Sequence, residues 1–339
     1  MDLWSRIINN FTKNLPEIIK ISSDFDNMRI DNFLKKKFQK LSYVHLTKLI
    51  GSGSIRLNGK KVKPSFLIKN NDSISFPPKL LENFEINKQP NFFSEKDIEL
   101  VRKSLIKEGD DWIAINKPQG IAVQGGSKVK SHIDGLLDFS FANYEKLYLV
   151  HRLDKDTTGS LLIAKNRLAA KRLTNAFREN KVKKMYLAIV NGKVEKNNGS
   201  ISIPLIKKSI NANEKVMPDL EKGLNALTYY YKIASKDNYS ILALFPITGR
   251  THQLRVHLNE IGHSIIGDNK YFSEKYKMNE KKIKTKLMLH CFQMYFPDKN
   301  NSLIKVEAKI PLKMISNLKK LKMDNYIKNI RNFFDYNLK

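Results

Sequence analysis

Residues 149–165 read LVHRLDKDTTGSLLIAK. Five charged or titratable side chains, His151, Arg152, Asp154, Lys155 and Asp156, stand between an apolar step and a Thr-Thr-Gly turn, and an apolar run follows. Charge gathered at a turn with apolar residues on both sides reads as the mouth of a strand pair. Working outward, the strand signature recurs. DDWIAINKPQGIAV (110–123) starts a strand at Trp112, turns at NKPQG and resumes as a strand at IAV. KKMYLAIVNG (183–192) is a strand closed by Asn191-Gly192, ALTYYYKIAS (226–235) and YSILALFPITG (239–249) alternate like paired strands, and LMLHCFQMYFP (287–297) is a further strand. RTHQLRVHLNEIG (250–262) reads as a helix, or a strand–helix junction, ending at Gly262. Strands outnumber helices and few helices separate them. The spacing therefore predicts an α+β fold with a mixed, largely antiparallel sheet, not a doubly wound parallel one.

At 339 residues the chain has room for two domains and a sizeable core, and its hydrophobic fraction of 41% is that of a soluble protein. No run of about 18 apolar residues occurs, so no membrane partner is expected. The first residues, MDLWSRIINNFTKNLPEIIK, carry no basic-then-apolar leader pattern. The single cysteine, Cys291, excludes an internal disulfide and a multi-cysteine zinc site, and fits a reducing cytoplasm. The formal net charge is +28, from 61 Lys and Arg against 33 Asp and Glu. Such an excess fits a polyanionic partner, most simply nucleic acid. An AT-rich genome accounts for many of the lysines, less easily for the shortage of acids.

The charge is dense near the start, where residues 28–63 hold ten Lys and Arg and one acid, Asp31. Ile30, Phe33, Leu34 and Phe38 are spaced for one helix; Val44, Leu46 and Ile50 for a second, which Ser42 can cap and Gly51 and Gly53 stop. Asn58-Gly59 between short alternating segments predicts a hairpin. GSGSIRLNG (51–59) is no dinucleotide loop, because its glycines follow a helix and precede a strand. The lysines fall mostly off the apolar positions, so Arg29, Lys35, Lys36, Lys48, Arg56, Lys60 and Lys61 are candidate RNA contacts. A solvated helix face would show the same run. FPPKLLENFEINKQPNFFSEKD (76–97) has three prolines and no sustained period, and reads as a linker.

The two-helix-plus-hairpin pattern resembles the small RNA-binding module first described in ribosomal protein S-four. Beyond it, HRLDKDTTGSLLIAK resembles the central motif of the pseudouridine synthases of the large-subunit ribosomal type. INKPQGIAVQGGS, KKMYLAIV and PITGRTHQLRVHLNEIGHSIIGDNKY resemble that family's first, tyrosine and third motifs, in the family's order. The resemblance covers about residues 19–321. It implies an N-terminal extension (1–18), the S-four-type module (19–80), a linker (81–97), a catalytic domain (98–321) and a basic tail (322–339). It also implies an isomerase that converts uridines of large-subunit rRNA to pseudouridine, of the 955/2504/2580 type. The RNA is expected free or in an assembly intermediate, and the protein as a cytoplasmic monomer.

Breaking a glycosidic bond, turning the uracil and rejoining it through carbon oxidises nothing and adds no group, so no cofactor and no metal is expected. One positioned carboxylate is needed, as nucleophile or base. By resemblance it is Asp154, with Arg255 as its cationic partner through two parallel hydrogen bonds, and Tyr186 stacking on the target base and helping to move its ring proton. Arg152 contacts phosphate or braces the loop; Arg250 and His252 are further candidate RNA contacts. Gln124 stands where related enzymes often carry histidine, and Cys291 where alanine is common. Two other classes remain open. One is an RNA-binding ribosome-assembly factor without catalysis. The other is a metal-dependent transferase using Asp154 and Asp156, for which no third acidic ligand is evident nearby. His252 and His257 lack the spacing of a His-Glu-X-X-His zinc site.

Overall fold

The computed structural model describes residues 17–38, 43–77, 93–125, 131–210, 213–272, 286–328 and 330. The expected cap Ser42, the Lys36 side chain, most of the linker, nearly all of the N-terminal extension and the end of the basic tail lie outside them. The chain forms two compact units, residues 1–92 and 93–339.

In the first unit the strands are β1 (Glu17–Lys20), β2 (Met28–Arg29), β3 (Arg56–Leu57), β4 (Leu67–Ile68) and β5 (Ser73–Phe76), and the helices α1 (Ile30–Lys37) and α2 (Tyr43–Ser52). Helix α1 buries Ile30, Phe33 and Leu34, one stripe at i, i+3 and i+4, against Leu46 and Ile50 of α2 and Ile68 and Ile74 of the strands. Val44 is 76% exposed, against its expected place in the core. It lies two residues before Leu46, and residues two apart do not share a helix face. Helix α2 also runs through Gly51 and stops at Gly53, whose φ of +81° provides the left-handed end. Asn58 and Gly59 both have positive φ, 50° and 75°, the signature of a type I′ turn, and Leu57 and Lys60 exchange backbone hydrogen bonds of 2.9 Å. The expected hairpin goes no further, because β3 takes β5 as its ladder partner.

The second unit is built on a ten-stranded sheet. Its strands are β6 (Leu105–Glu108), β7 (Trp112–Lys117), β8 (Tyr148–Leu149), β9 (Thr158–Ala164), β10 (Lys183–Asn191), β11 (Asn198–Ser202), β14 (Leu227–Lys236), β15 (Tyr239–Pro246), β16 (Leu289–Pro297) and β17 (Leu303–Glu307); β12 (Leu205–Ile210) and β13 (Asn213–Pro218) pair separately. The main path is β11-β14-β15-β10-β16-β9-β7-β6, with β17 beside β16 and β8 beside β9. Its pairs are antiparallel except β16 with β9, so the sheet is mixed and largely antiparallel, as the sequence predicts. Ile121–Val123 does not resume a strand: Ala122 makes one isolated bridge to His132, and Ala122 and Val123 line the cavity of the site.

The parallel joint sets the frame of the site. Gly159 pairs with Cys291 at φ +111°, and a Cβ there would fall 2.2 Å from the Cys291 carbonyl oxygen. Glycine is the residue that lets the two strands approach. Strand β9 is buried along its whole length, which explains its apolar run Leu161–Ala164; the buried Thr158 at its start has its hydroxyl 2.8 Å from His290 Nδ1. Among its described residues the unit also has helices α3 (Glu95–Arg102), α4 (Ile133–Ser140), α5 (Arg167–Arg178), α6 (Gln253–Glu260) and α7 (Leu312–Lys320). Helix α5 is capped by Asn166, whose side chain accepts from Ala169 N–H at 2.8 Å, and it buries Ala169, Leu173 and Ala176. Deleting a buried leucine such as Leu173 to alanine costs about 2–5 kcal/mol.

Candidate active site

Asp154 lies in the loop between β8 and β9, which is held from both ends. His151 is not one of its charges: its Nε2 accepts from the Leu162 N–H at 2.8 Å and its ring stacks on Phe177 at 4.3 Å. Burial pulls its pKa down to about 3, so it is a neutral brace. On the other side, buried Lys117 at the end of β7 donates to the carbonyls of Pro118 (2.9 Å), Ile121 (2.8 Å) and Lys155 (2.9 Å). Burial pulls its pKa down to about 7, against the opposing pull of Asp156 and Asp154. Three ammonium protons match three carbonyls, so one side chain ties the NKPQG turn to the residue after Asp154. Gln119 adds bonds to the carbonyls of Asp156 (3.0 Å) and Leu287 (2.8 Å).

Arg255 is buried on α6, with one nitrogen, Nη1, 3.3 Å from Asp154 Oδ2. Its two-pronged grip is elsewhere: Nε and Nη2 donate to the two oxygens of Asp268 at 2.7 and 2.8 Å. The expected pair of parallel bonds to Asp154 is thus a single longer contact, because Asp268 occupies the fork. Asp268 also accepts from the backbone N–H groups of Lys270 (2.9 Å) and Tyr271 (3.0 Å). Gly267 makes its turn at φ +75°, where a Cβ would lie 2.4 Å from the Lys286 carbonyl oxygen. Burial works to lower the Arg255 pKa, but Asp268 and then Asp154 outweigh it and raise it, so the charge is permanent. The guanidinium also lies 5.1 Å above the Tyr271 ring. Asp268 is in the quoted third motif, in GDNKY, yet nothing in its local pattern marks it as the arginine's partner.

Tyr186, on β10, is 7% exposed. Burial, then the neighbouring Cys291 and Asp154, raise its hydroxyl pKa well above the usual value, so it stays a neutral phenol at physiological pH. A cavity of about 690 Å³ opens on Asp154 and Arg255, with Gln124, Arg152, Lys155 and Lys286 on its walls. A smaller one, about 90 Å³, joins Asp154 and Arg255 to Tyr186, Lys184, Arg250 and Leu289. The structure therefore brings Asp154, Tyr186 and Arg255 together, although 101 residues separate the ion pair in sequence.

Of the candidate RNA contacts in this unit, Arg152 is exposed at the rim, and Arg250 is exposed with its Nε bonded to the Asn225 carbonyl at 3.1 Å. His252 faces inward. It starts α6 in a left-handed conformation (φ 53°), its Nδ1 lies 2.8 Å from the Tyr271 hydroxyl, and its Nε2 lies 3.9 Å from Asp154. Burial lowers its pKa more than Asp154 raises it. In the first unit Lys48, Arg56, Lys60 and Lys61 are exposed and Lys35 is half-buried. Arg56 is partly used within the fold, bonding the Gly53 carbonyl at 3.1 Å. Arg29 is used more fully, as its guanidinium grips Asp31 at 2.6 and 3.1 Å.

Comparison with known proteins bears on this assembly. Residues 111–260 match the model of the RNA pseudouridylate synthase family and residues 28–74 that of the S4 domain. Ribosomal large subunit pseudouridine synthase C of Rickettsia conorii is 38% identical over 84% of this chain and 94% of that protein. The chain belongs to the pseudouridine synthase family. The synthase of the same name from Haemophilus influenzae is 32% identical over 94% of this chain and 97% of its own length. Among solved structures, human RNA Pseudouridylate Synthase Domain Containing 4 is 26% identical, with a TM-score of 0.56 over 66% of this chain and 95% of that one. As a pseudouridine synthase the protein is an isomerase with an S4 domain ahead of its catalytic fold. No helix among the described residues is long and apolar enough to cross a membrane.

Proposed function

We propose that this synthase converts specific uridines of large-subunit rRNA to pseudouridine, with those of the 955/2504/2580 type as its targets. The observation that carries the catalytic assignment is Asp154, partly open to a cavity and 3.3 Å from an arginine that Asp268 holds in place. Relatives named for the large ribosomal subunit support the choice of RNA. The net charge of +28 supports a polyanionic substrate.

In this reading Asp154 is the reacting carboxylate. Attack on the sugar, attack on the base and removal of a sugar proton each use the same carboxylate, which Arg255 touches. Arg255 keeps that carboxylate ionised and aimed. Tyr186 presents its ring to the target base, and its hydroxyl relays a proton without itself becoming charged. Arg152 and Arg250, at the rim, take phosphates. The exposed Lys48, Lys60 and Lys61 and the half-buried Lys35 of the first unit add RNA contacts. The protein works as a cytoplasmic monomer on free rRNA or an assembly intermediate.

The test is carbodiimide mapping of pseudouridine in rRNA from cells with the gene, without it, and with Asp154→Asn in its place. Sites lost in the deletion and restored by wild type only are expected. Restoration by Asp154→Asn would mean a binding protein that acts through assembly alone.

A further inference from the structure

The smaller cavity is lined by a cation, Lys184, that has no part in the proposed roles of Asp154, Arg255 and Tyr186. Lys184 precedes Tyr186 by two residues on β10, so both side chains leave the strand on one face, and both line the cavity with Asp154. Its Nζ lies 3.6 Å from the position a Cβ would take on Gly249. Among the described residues it has no hydrogen bond and no ion pair. The neighbours that feel its charge are neutral: burial raises the Cys291 thiol to about 12 and pulls His151 down to about 3. The other cations of the cavity are placed differently. Arg255 is locked on Asp268 and Asp154, Arg250 bonds the Asn225 carbonyl, and Arg152 is exposed at the rim. Burial lowers the pKa of Lys184, the mark of an ammonium whose lost hydration the protein does not replace.

A donor that lines a site without a protein partner is placed to meet an acceptor on the ligand. The acceptors on a target nucleotide are the phosphate, the ribose oxygens and the uracil carbonyls. Rim arginines suit phosphate. Lys184 lies with the Tyr186 ring, where the base stacks in the proposed function. When the N1–C1′ bond breaks, its electron pair leaves with the uracil and spreads over N1 and the carbonyl oxygens. C5 then bonds to C1′, the ring loses its C5 proton and N1 gains one, so atoms and electrons balance without a co-reactant.

We propose that the Lys184 ammonium donates to a carbonyl oxygen of the target uracil and stabilises the negative charge that the ring carries while detached, an assignment that rests on the proposed function. Removing one such preorganised donor costs about a hundredfold in rate or more.

The experiment measures single-turnover rate and RNA affinity of the full-length wild type, Lys184→Met and Lys184→Arg on two RNAs, one with uridine and one with 5-fluorouridine at the target. Fluorine makes N1 more acidic, so the departing ring needs less help; that reaction is followed to the carbon-linked fluoro adduct. On uridine RNA, Lys184→Met is expected to lose about a hundredfold in rate with affinity nearly unchanged, and Lys184→Arg to recover much of it. On fluorouridine RNA the deficit should shrink to about tenfold or less. An equal deficit on both RNAs would mean a structural role and overturn the proposal. So would a near-wild-type rate in Lys184→Met. A loss confined to affinity, with the salt slope reduced by about one, would assign Lys184 to phosphate instead. Lys184→Gln replaces the methionine variant if thermal melts show that it does not fold. Absence of product from the wild type on uridine RNA would overturn the function itself.

Discussion

Each unit contains an arginine gripping a carboxylate with two nitrogens, and the two grips end differently. In the first unit Asp31 is fully buried and its partners only hold structure: Arg29 and the Asn32 N–H (2.7 Å) beside it in sequence, and the Tyr43 hydroxyl (2.7 Å) at the start of α2. In the second, Asp268 is just as buried, but its arginine has a third nitrogen that reaches Asp154, whose side chain is 19% exposed. The first cluster is closed and fixes a helix start. The second passes its positioning on to a group that remains accessible. A buried ion pair alone is thus no mark of a site; a spare donor aimed at a half-open carboxylate is.

The largest expected effect separates the open carboxylate from its supports. Asp154→Asn keeps the shape but removes nucleophile and base, so single-turnover rates should fall below about one per cent of wild type, with RNA affinity nearly intact. Comparable turnover would move the chemistry elsewhere. Next come the supports. Arg255→Lys keeps the charge but cannot span Asp268 and reach Asp154 together, and a loosened carboxylate costs about a hundredfold. Asp268→Asn should cost a similar factor with Arg255 intact, and should lower the thermal midpoint. If Asp268→Asn runs at wild-type rate, the arginine needs no anchor and the contrast between the clusters fails.

The closed cluster should respond in stability and not in rate. Burial alone would raise the Asp31 pKa, but hydrogen bonds from Arg29, Tyr43 and Asn32 outweigh it and hold it below its ordinary value. A carboxylate depressed in the folded state contributes stability that is present above its unfolded pKa, about 4, and is lost as pH falls through the lower folded value. Urea melts of the first unit's signal between pH 7 and 2 should therefore show an acid-sensitive component that Asp31→Asn lacks. At saturating RNA the variant's single-turnover rate should match wild type. Smallest is the effect of Lys60→Gln or Lys61→Gln, each expected to flatten the log-affinity against log-salt slope by somewhat less than one unit, with no change in rate. An unchanged slope in the double variant would make these lysines a solvated surface only.

Much of this organisation is local and so is legible in the sequence. The type I′ turn at Asn58-Gly59, the Ile30–Phe33–Leu34 stripe and the strands β7, β10, β14, β15 and β16 follow from residue type and period, and so does the excess of antiparallel pairing. Resemblance of four ordered motifs singled out Asp154, Tyr186 and Arg255, which no one of those residues could have done alone. What tertiary structure decided is who partners whom. Val44 and Leu46 look alike in composition, and helix rotation alone exposes one and buries the other. His151 reads as a charge beside Asp154 and is a neutral brace, because burial removes the water that would hydrate its cation. The fork of Arg255 belongs to Asp268 and not to Asp154, and Lys117 spends its three donors on carbonyls from two loops. Hydrogen bonds of that kind depend on angles and distances between segments far apart in the chain. Residue type sets which groups are able to bond, and the packing of β9 against β16 and of α6 over the site sets which of them meet.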